Sequence, residues 1–266
     1  MGALAALVVG LGAAAGQQIV ARKSRPAEQY HGPAPLILFF LQVALVNAIS
    51  IVILVLGVKL DGSPVGFLAT AVVLLSGYVL VVWLFVVRAG ALSWREMIRA
   101  QPLDVGRAAL DIALGAATMF AVAIAAGILG TIVANLLGTT APDVVPAPTT
   151  SFDITMVALG AGILVPIGEE VFFRGFTLTA WLRDLGPRAA LIRTTIFFAV
   201  VHVISTTSIQ QTILVLVVIG PVGLALGWLY LRRGLFASIG GHAAFNLFGV
   251  LVIVLSQYFP APGTGS

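Results

Sequence analysis

Eight apolar runs, each long enough to cross a lipid bilayer, constrain this chain more than any other feature. They cover 2–21, 35–58, 65–87, 108–137, 153–182, 189–206, 210–231 and 236–258. A spanning helix needs about 20 mostly apolar residues. Hydrocarbon offers no water to the backbone, so each span must satisfy its own N–H and C=O groups. The expected fold class is all-α, a polytopic transmembrane helix bundle of about eight spans. Composition agrees, since only 9% of the residues are charged against about 25% in a soluble domain. No internal repeat and no soluble domain is visible, so 1–266 reads as a single membrane domain.

The basic residues orient the bundle. Arg22, Lys23 and Arg25 follow the first span, and Arg88, Arg95, Arg99 and Arg107 follow the third. Arg183, Arg188 and Arg193 lie between the fifth and sixth, and Arg232 and Arg233 between the seventh and eighth. These connections alternate strictly, and only Lys59 lies in a connection of the other set. The positive-inside rule makes the basic side cytoplasmic, so both termini are expected outside. The net charge of +4 is read as topology, and no nucleic-acid partner is expected. The N-terminal run lacks a basic leader and is followed by ARKSR, which reads as a short first span rather than a cleaved signal. The Arg-, Ala- and Gly-rich composition points to a bacterial source and a cell membrane location. SWREMIRAQPLDVGR, 93–107, is expected to form a short amphipathic helix on the membrane surface.

The Pro-rich outer link 139–153 separates four plain spans, 1–138, from a polar set, 153–258. GEEVFFRGF, 168–176, places Glu169, Glu170 and Arg174 inside the fifth span. A charge at such depth costs about 2.5–3.5 kcal/mol on insertion scales and normally faces the bundle interior or a wet cavity. Glu170 and Arg174 are four residues apart and can pair. Glu169 is turned by about 100°, leaving a carboxylate free to face a cavity. Pro166 lacks an N–H and is expected to loosen the turn before it. Asp111 is accounted for by an i,i+4 pair with Arg107.

His202 and His242 lie inside the sixth and eighth spans, each nine residues after an arginine (Arg193 and Arg233). The counts put them at matched depth, nearer the cytoplasmic side. Phe198 precedes His202 by one turn, and Asn246 follows His242 by one turn on the same face. His31 lies in a polar link and is expected to be solvated. A lone intramembrane histidine is usually an interhelical hydrogen-bonding partner. Two histidines, two glutamates, an asparagine and an arginine together suit hydrolysis. A carboxylate or imidazole can take a proton from water, and an imidazole N–H and an amide can donate to an oxyanion. Glu169, His202 and His242 also form a His₂Glu set that could hold zinc or another divalent metal. HExxH is absent, so a metal is not selected. The chain has no cysteine, which removes thiol chemistry. Gly220, Pro221 and Gly223 in the seventh span read either as a flexible element or as small-residue packing.

EEVFFR, FAVVH and HAAFN resemble the EExxxR, FxxxH and HxxxN motifs of the CPBP family, the CAAX protease and bacteriocin-processing (Abi/Rce1-like) intramembrane endopeptidases. The resemblance covers about 153–250, and the first four spans are similar only in hydrophobicity. It implies a peptidase in which Glu169 and His202 activate water while His242 and Asn246 hold the oxyanion. Glu170, Arg174 and Phe198 would orient the site. The resemblance leaves metal dependence open, and the water-activating set is preferred without a metal. The substrate implied is a membrane-associated peptide or protein, reached from the cytoplasmic side. Two other readings compete: a non-catalytic scaffold or bacteriocin self-immunity protein, and a proton-coupled transporter. All the unusual polar residues lie in the second half, which disfavours a carrier built from paired repeats.

Overall fold

A computed structural model describes residues 2–58, 60–99 and 104–258. Lys59 and residues 100–103 of the expected surface helix lie outside them. Among the described residues, eight helices are long and apolar enough to cross a membrane. They are α1 (Gly2–Arg22), α2 (Pro35–Val55), α3 (Pro64–Val87), α5 (Val105–Leu137), α6 (Ser151–Leu185), α7 (Pro187–Ser205), α8 (Ile209–Arg233) and α9 (Leu235–Tyr258). A short helix, α4 (Trp94–Ile98), lies between α3 and α5. The bundle is all-α, and the span boundaries read from hydropathy hold to within a few residues.

Local chemistry sets the ends. Ser63, Asp104, Thr150 and Ser208 cap α3, α5, α6 and α8 by accepting a first-turn N–H, which satisfies donors that a helix start leaves unpaired. Gly138 closes α5 at a φ of +60°, a conformation that favours glycine.

The basic links meet at one end of the bundle. Arg25 lies 3.7 Å from Asp184, whose other oxygen accepts the Tyr30 N–H at 3.0 Å. Arg183 pairs with Glu96 of α4, and the Tyr230 hydroxyl donates to the Met97 carbonyl at 2.9 Å. Met97 is fully buried, so α4 is anchored to the bundle end by this side chain while Arg95 and Glu96 are exposed. Arg233 donates to Asp111 at 3.2 Å while Arg107 stands at 4.0 Å. The buried Asp111 is therefore chiefly a tie from α5 to α8, because a cation on a neighbouring helix approaches it more closely than the one a turn away.

Helix α6 runs through the middle. Every side chain from Glu170 to Trp181 is buried. Phe172 and Phe173 pack with Phe39 and Tyr78 from the first half, Phe173 also with Phe197 and Phe198 from α7, and Phe176 with Tyr30. Helix α9 is drawn against α5 by glycines: a Cβ on Gly115 would overlap the Ala237 carbonyl, and one on Gly240 would overlap that of Ile112. Small residues let backbones approach this closely, and the approach sets His242 beside α6.

Candidate active site

The backbone of α6 departs from α-geometry on both sides of the glutamates. Gly160–Leu164 and Val171–Leu178 are π-helical, with i→i+5 hydrogen bonds, and Val165–Glu170 is the α-turn between them. Such widened turns concentrate at functional sites. Pro166 explains a consequence of the first one. The Val165 N–H bonds the Gly160 carbonyl, so the Ala161 carbonyl would look to residue 166, which is proline and has no N–H. That orphaned carbonyl accepts instead from the Asn246 amide, Nδ2 to O 2.8 Å. The loosening expected around Pro166 thus has a defined partner on α9.

Glu170 is the hub of a buried network. Its Oε1 accepts from Arg174 Nη1 at 2.6 Å and from His242 Nδ1 at 2.8 Å. Its Oε2 accepts from the Ser238 hydroxyl. Arg174, also fully buried, donates from Nη2 to the Gly223 carbonyl at 3.2 Å and lies 4.1 Å from the centre of the Phe198 ring. Gly223 owes its place to packing: a Cβ there would stand 3.0 Å from Phe198. Pro221 lies within the continuous α8, so this helix is read as packed rather than flexible.

Glu169 faces the other way. Its side chain is 16% exposed, and its Oε2 is buried without a hydrogen-bond partner. His202 Nε2 lies 3.9 Å from that oxygen and His242 Nε2 3.8 Å. Both histidines are anchored through Nδ1, His202 on the Phe198 carbonyl at 2.7 Å and His242 on Glu170. A carbonyl can only accept, so His202 Nδ1 holds a proton and its Nε2 presents a lone pair when the ring is neutral. Two carbonyl oxygens cannot bond each other, so the Asn246 amide must turn its NH₂ toward Ala161. Its second N–H is left for another acceptor.

The structure thus brings together Glu169, Glu170, Arg174, Phe198, His202, His242 and Asn246. His31 stays apart in the α1–α2 link, bonded to the Pro26 carbonyl at 2.9 Å. Sequence reasoning missed Ser238. It lies one turn before His242, and a serine in an apolar helix gives no signal until its carboxylate partner on α6 is known.

The residue counts set the two histidines level with each other, and both stand beside the same Glu169 oxygen. Arg193 lies inside α7, which starts at Pro187. Gly168 abuts Leu75, the twelfth of the 24 residues of α3, which puts the glutamates at the middle of that span. His202 is the sixteenth of the 19 residues of α7, near its far end.

The set has the donor types of a His₂Glu zinc site, and anchored second ring nitrogens are usual for histidine ligands. Among the described residues no three His, Asp or Glu side chains are gathered closely enough to hold a metal ion.

Fold and site together define a class: a multi-pass, all-α membrane protein with an acid–histidine cluster buried inside its bundle. The family comparison adds a similarity. Residues 151–248, which carry all three motifs, match the model of the type II CAAX prenyl endopeptidase Rce1-like family. No curated protein and no solved structure matches the chain. The similarity is to a family of CAAX-type intramembrane proteases.

Proposed function

We propose that this protein hydrolyses a peptide bond inside the bilayer with a water activated by Glu169 and His202. The observation that carries the reading is the orphaned Glu169 Oε2 facing two anchored histidines at 3.8 and 3.9 Å. Those gaps are too long for direct hydrogen bonds and suit one bridging water. Such a water gives one proton to Glu169 and directs the other to His202 Nε2 as its oxygen attacks the carbonyl carbon. The oxyanion accepts from the free N–H of Asn246 and from His242 Nε2 in the doubly protonated ring, whose Nδ1 donates to Glu170. The C–N bond then breaks, and protonated Glu169 returns its proton to the leaving nitrogen. Glu170, Arg174, Ser238 and Phe198 hold these groups in place. No step is routed through a metal.

The substrate class is a membrane-associated peptide or protein in a cell membrane. The test compares membrane peptidomes of cells expressing wild type and Glu169→Gln, with a chelator-treated wild-type arm. The expected result is a peptide that accumulates uncleaved with the variant and not with the chelator. Accumulation under chelator as well would require a metal in the mechanism. Matching peptidomes for variant and wild type would sink the protease reading.

A further inference from the structure

All four tryptophans lie at the end of the bundle that carries the basic links. Trp83 is five residues before Arg88, Trp94 adjoins Arg95, Trp181 is two residues before Arg183 and Trp228 is four before Arg232. Tryptophan is ordinarily enriched at both membrane interfaces, so its confinement to one end gives this chain a single strongly anchored face. Trp83 and Trp228 are 43% and 47% exposed. A guanidinium stands 5.9 Å from the centre of each, Arg88 at Trp83 and Arg232 at Trp228. Trp181 is buried and belongs to the packing instead.

Several cations of this face are already engaged. Arg183 pairs with Glu96, Arg25 faces Asp184, and Arg22 donates to the Gly32 carbonyl. The junction of α4, α5 and α8 differs. Arg107 and Arg233 share one carboxylate, Asp111, at 4.0 and 3.2 Å. Asp111 is buried, whereas the two arginine side chains are 61% and 46% exposed. Arg232 follows on α8 and is exposed. Arg99, which closes α4, lies 5.5 Å from the centre of the Tyr230 ring, and its Cβ is 3.5 Å from where a Cβ on Gly234 would stand. The other carboxylate of the junction, Asp104, accepts the Gly106 N–H at 3.1 Å. Among the described residues four arginines thus meet two carboxylates. From Arg232 the same face of α8 leads to Trp228 and then to Leu224, both exposed, because residues four apart lie above one another on a helix.

We propose that the junction of α4, α5 and α8 binds the headgroup of an anionic phospholipid. The surplus guanidinium groups supply donors that match phosphate oxygens in pairs. Below them the indole of Trp228 suits the interfacial level of a lipid, and Leu224 suits an acyl chain. A soluble anion could use only the first of these three steps, so their order along α8 selects a lipid. Basic pockets between spans on the cytoplasmic side are a recurrent way of holding anionic headgroups, and the positive-inside rule assigns the basic end to that side. The proposal does not depend on the protease reading.

The test titrates the full chain in detergent micelles with phosphatidylglycerol or phosphatidylcholine and reads bound lipid by native mass spectrometry. Two double variants are compared. Arg107→Gln/Arg232→Gln empties the junction but leaves Arg233 on Asp111, so the tie between α5 and α8 is kept. Arg95→Gln/Arg188→Gln removes the same charge from exposed positions elsewhere on the face. Wild type is expected to prefer phosphatidylglycerol. An arginine near an anionic surface is worth about 1 kcal/mol, so the first double variant should lose roughly thirtyfold in affinity for it. The second should change it by less than about threefold. Helical ellipticity checks folding, and if the first double variant fails to fold, Arg107→Gln alone should lose roughly fivefold. Equal losses in the two double variants would mean diffuse surface charge and overturn the proposal. So would equal retention of the two lipids by wild type. Displacement of phosphatidylglycerol by an equal concentration of inorganic phosphate would make the ligand a free anion and overturn it as well.

Discussion

The Glu170–Arg174 pair allows a quantitative test of how the site is held. Both side chains are fully buried, and the carboxylate carries three donors: Arg174, His242 and Ser238. Glu170→Leu would leave the guanidinium with only the Gly223 carbonyl and the Phe198 ring. Removing one partner of a buried ion pair costs about 3–5 kcal/mol, whereas replacing both with apolar residues of similar volume is often neutral. The expected order of stability is therefore wild type above Glu170→Leu/Arg174→Met, and that double variant above either single one. The double variant stays short of wild type because Ser238 and His242 lose their acceptor, at about 1–3 kcal/mol per unsatisfied buried group. The assay is denaturant unfolding in detergent micelles followed by helical ellipticity, run as a double-mutant cycle. If Glu170→Leu were as stable as wild type, or the double variant no better than the worse single one, the pair would not be the structural hub described.

Other outcomes follow from the same coordinates. Asn246→Leu leaves the Ala161 carbonyl unpaired and is expected to cost about 1–3 kcal/mol; Pro166→Ala supplies a backbone N–H at the vacant position, so the loss is smaller in the double variant, read by the same unfolding cycle. Glu169→Gln is expected to abolish cleavage while leaving stability within about 0.5 kcal/mol, the range of changes that break no contact, because its Oε2 has no partner to lose. Burial pushes the Glu96 carboxyl up, but hydrogen bonds from Ser93 and the nearby Arg183 outweigh it and hold its pKa below the usual carboxylate value. A carboxyl depressed in the folded state stabilises above its unfolded pKa of about 4.3 and loses that contribution as pH falls through the folded value. Amide hydrogen exchange in α4 should therefore quicken below about pH 4, and Glu96→Gln should remove the step.

The parts legible in the sequence are those that follow from composition and regular spacing. The spans appeared because hydrocarbon leaves the backbone no alternative to the helix. The Glu170–Arg174 pair appeared because the π-helical stretch still keeps residues four apart within reach. The Asn246–Ala161 bond was hidden because it depends on an i→i+5 turn whose missing donor is supplied by a different helix. Ser238 and the Asp111–Arg233 tie were hidden for the related reason that tertiary partners leave no mark on local pattern. The contribution of Phe39 and Tyr78 also went unseen, because an aromatic in an apolar span looks the same whether it faces lipid or a neighbouring ring.

The placement of Arg174 one turn after Glu170 also bears on how the chain is made. His242 and Ser238 are synthesised about 70 residues after the glutamate they bond. When α6 first leaves the translocation machinery, Arg174 is the only partner that can already be present. A helix carrying its own counter-ion enters lipid as a neutral unit, avoiding an isolated charge worth about 2.5–3.5 kcal/mol on insertion scales. Truncated chains ending after Leu185 should insert α6 efficiently, and Arg174→Leu should lower that yield in a glycosylation-mapping assay. An unchanged yield would show that the pair matters only after assembly. The same two charges that order the finished site would thus act earlier, as a passport for the segment that carries it.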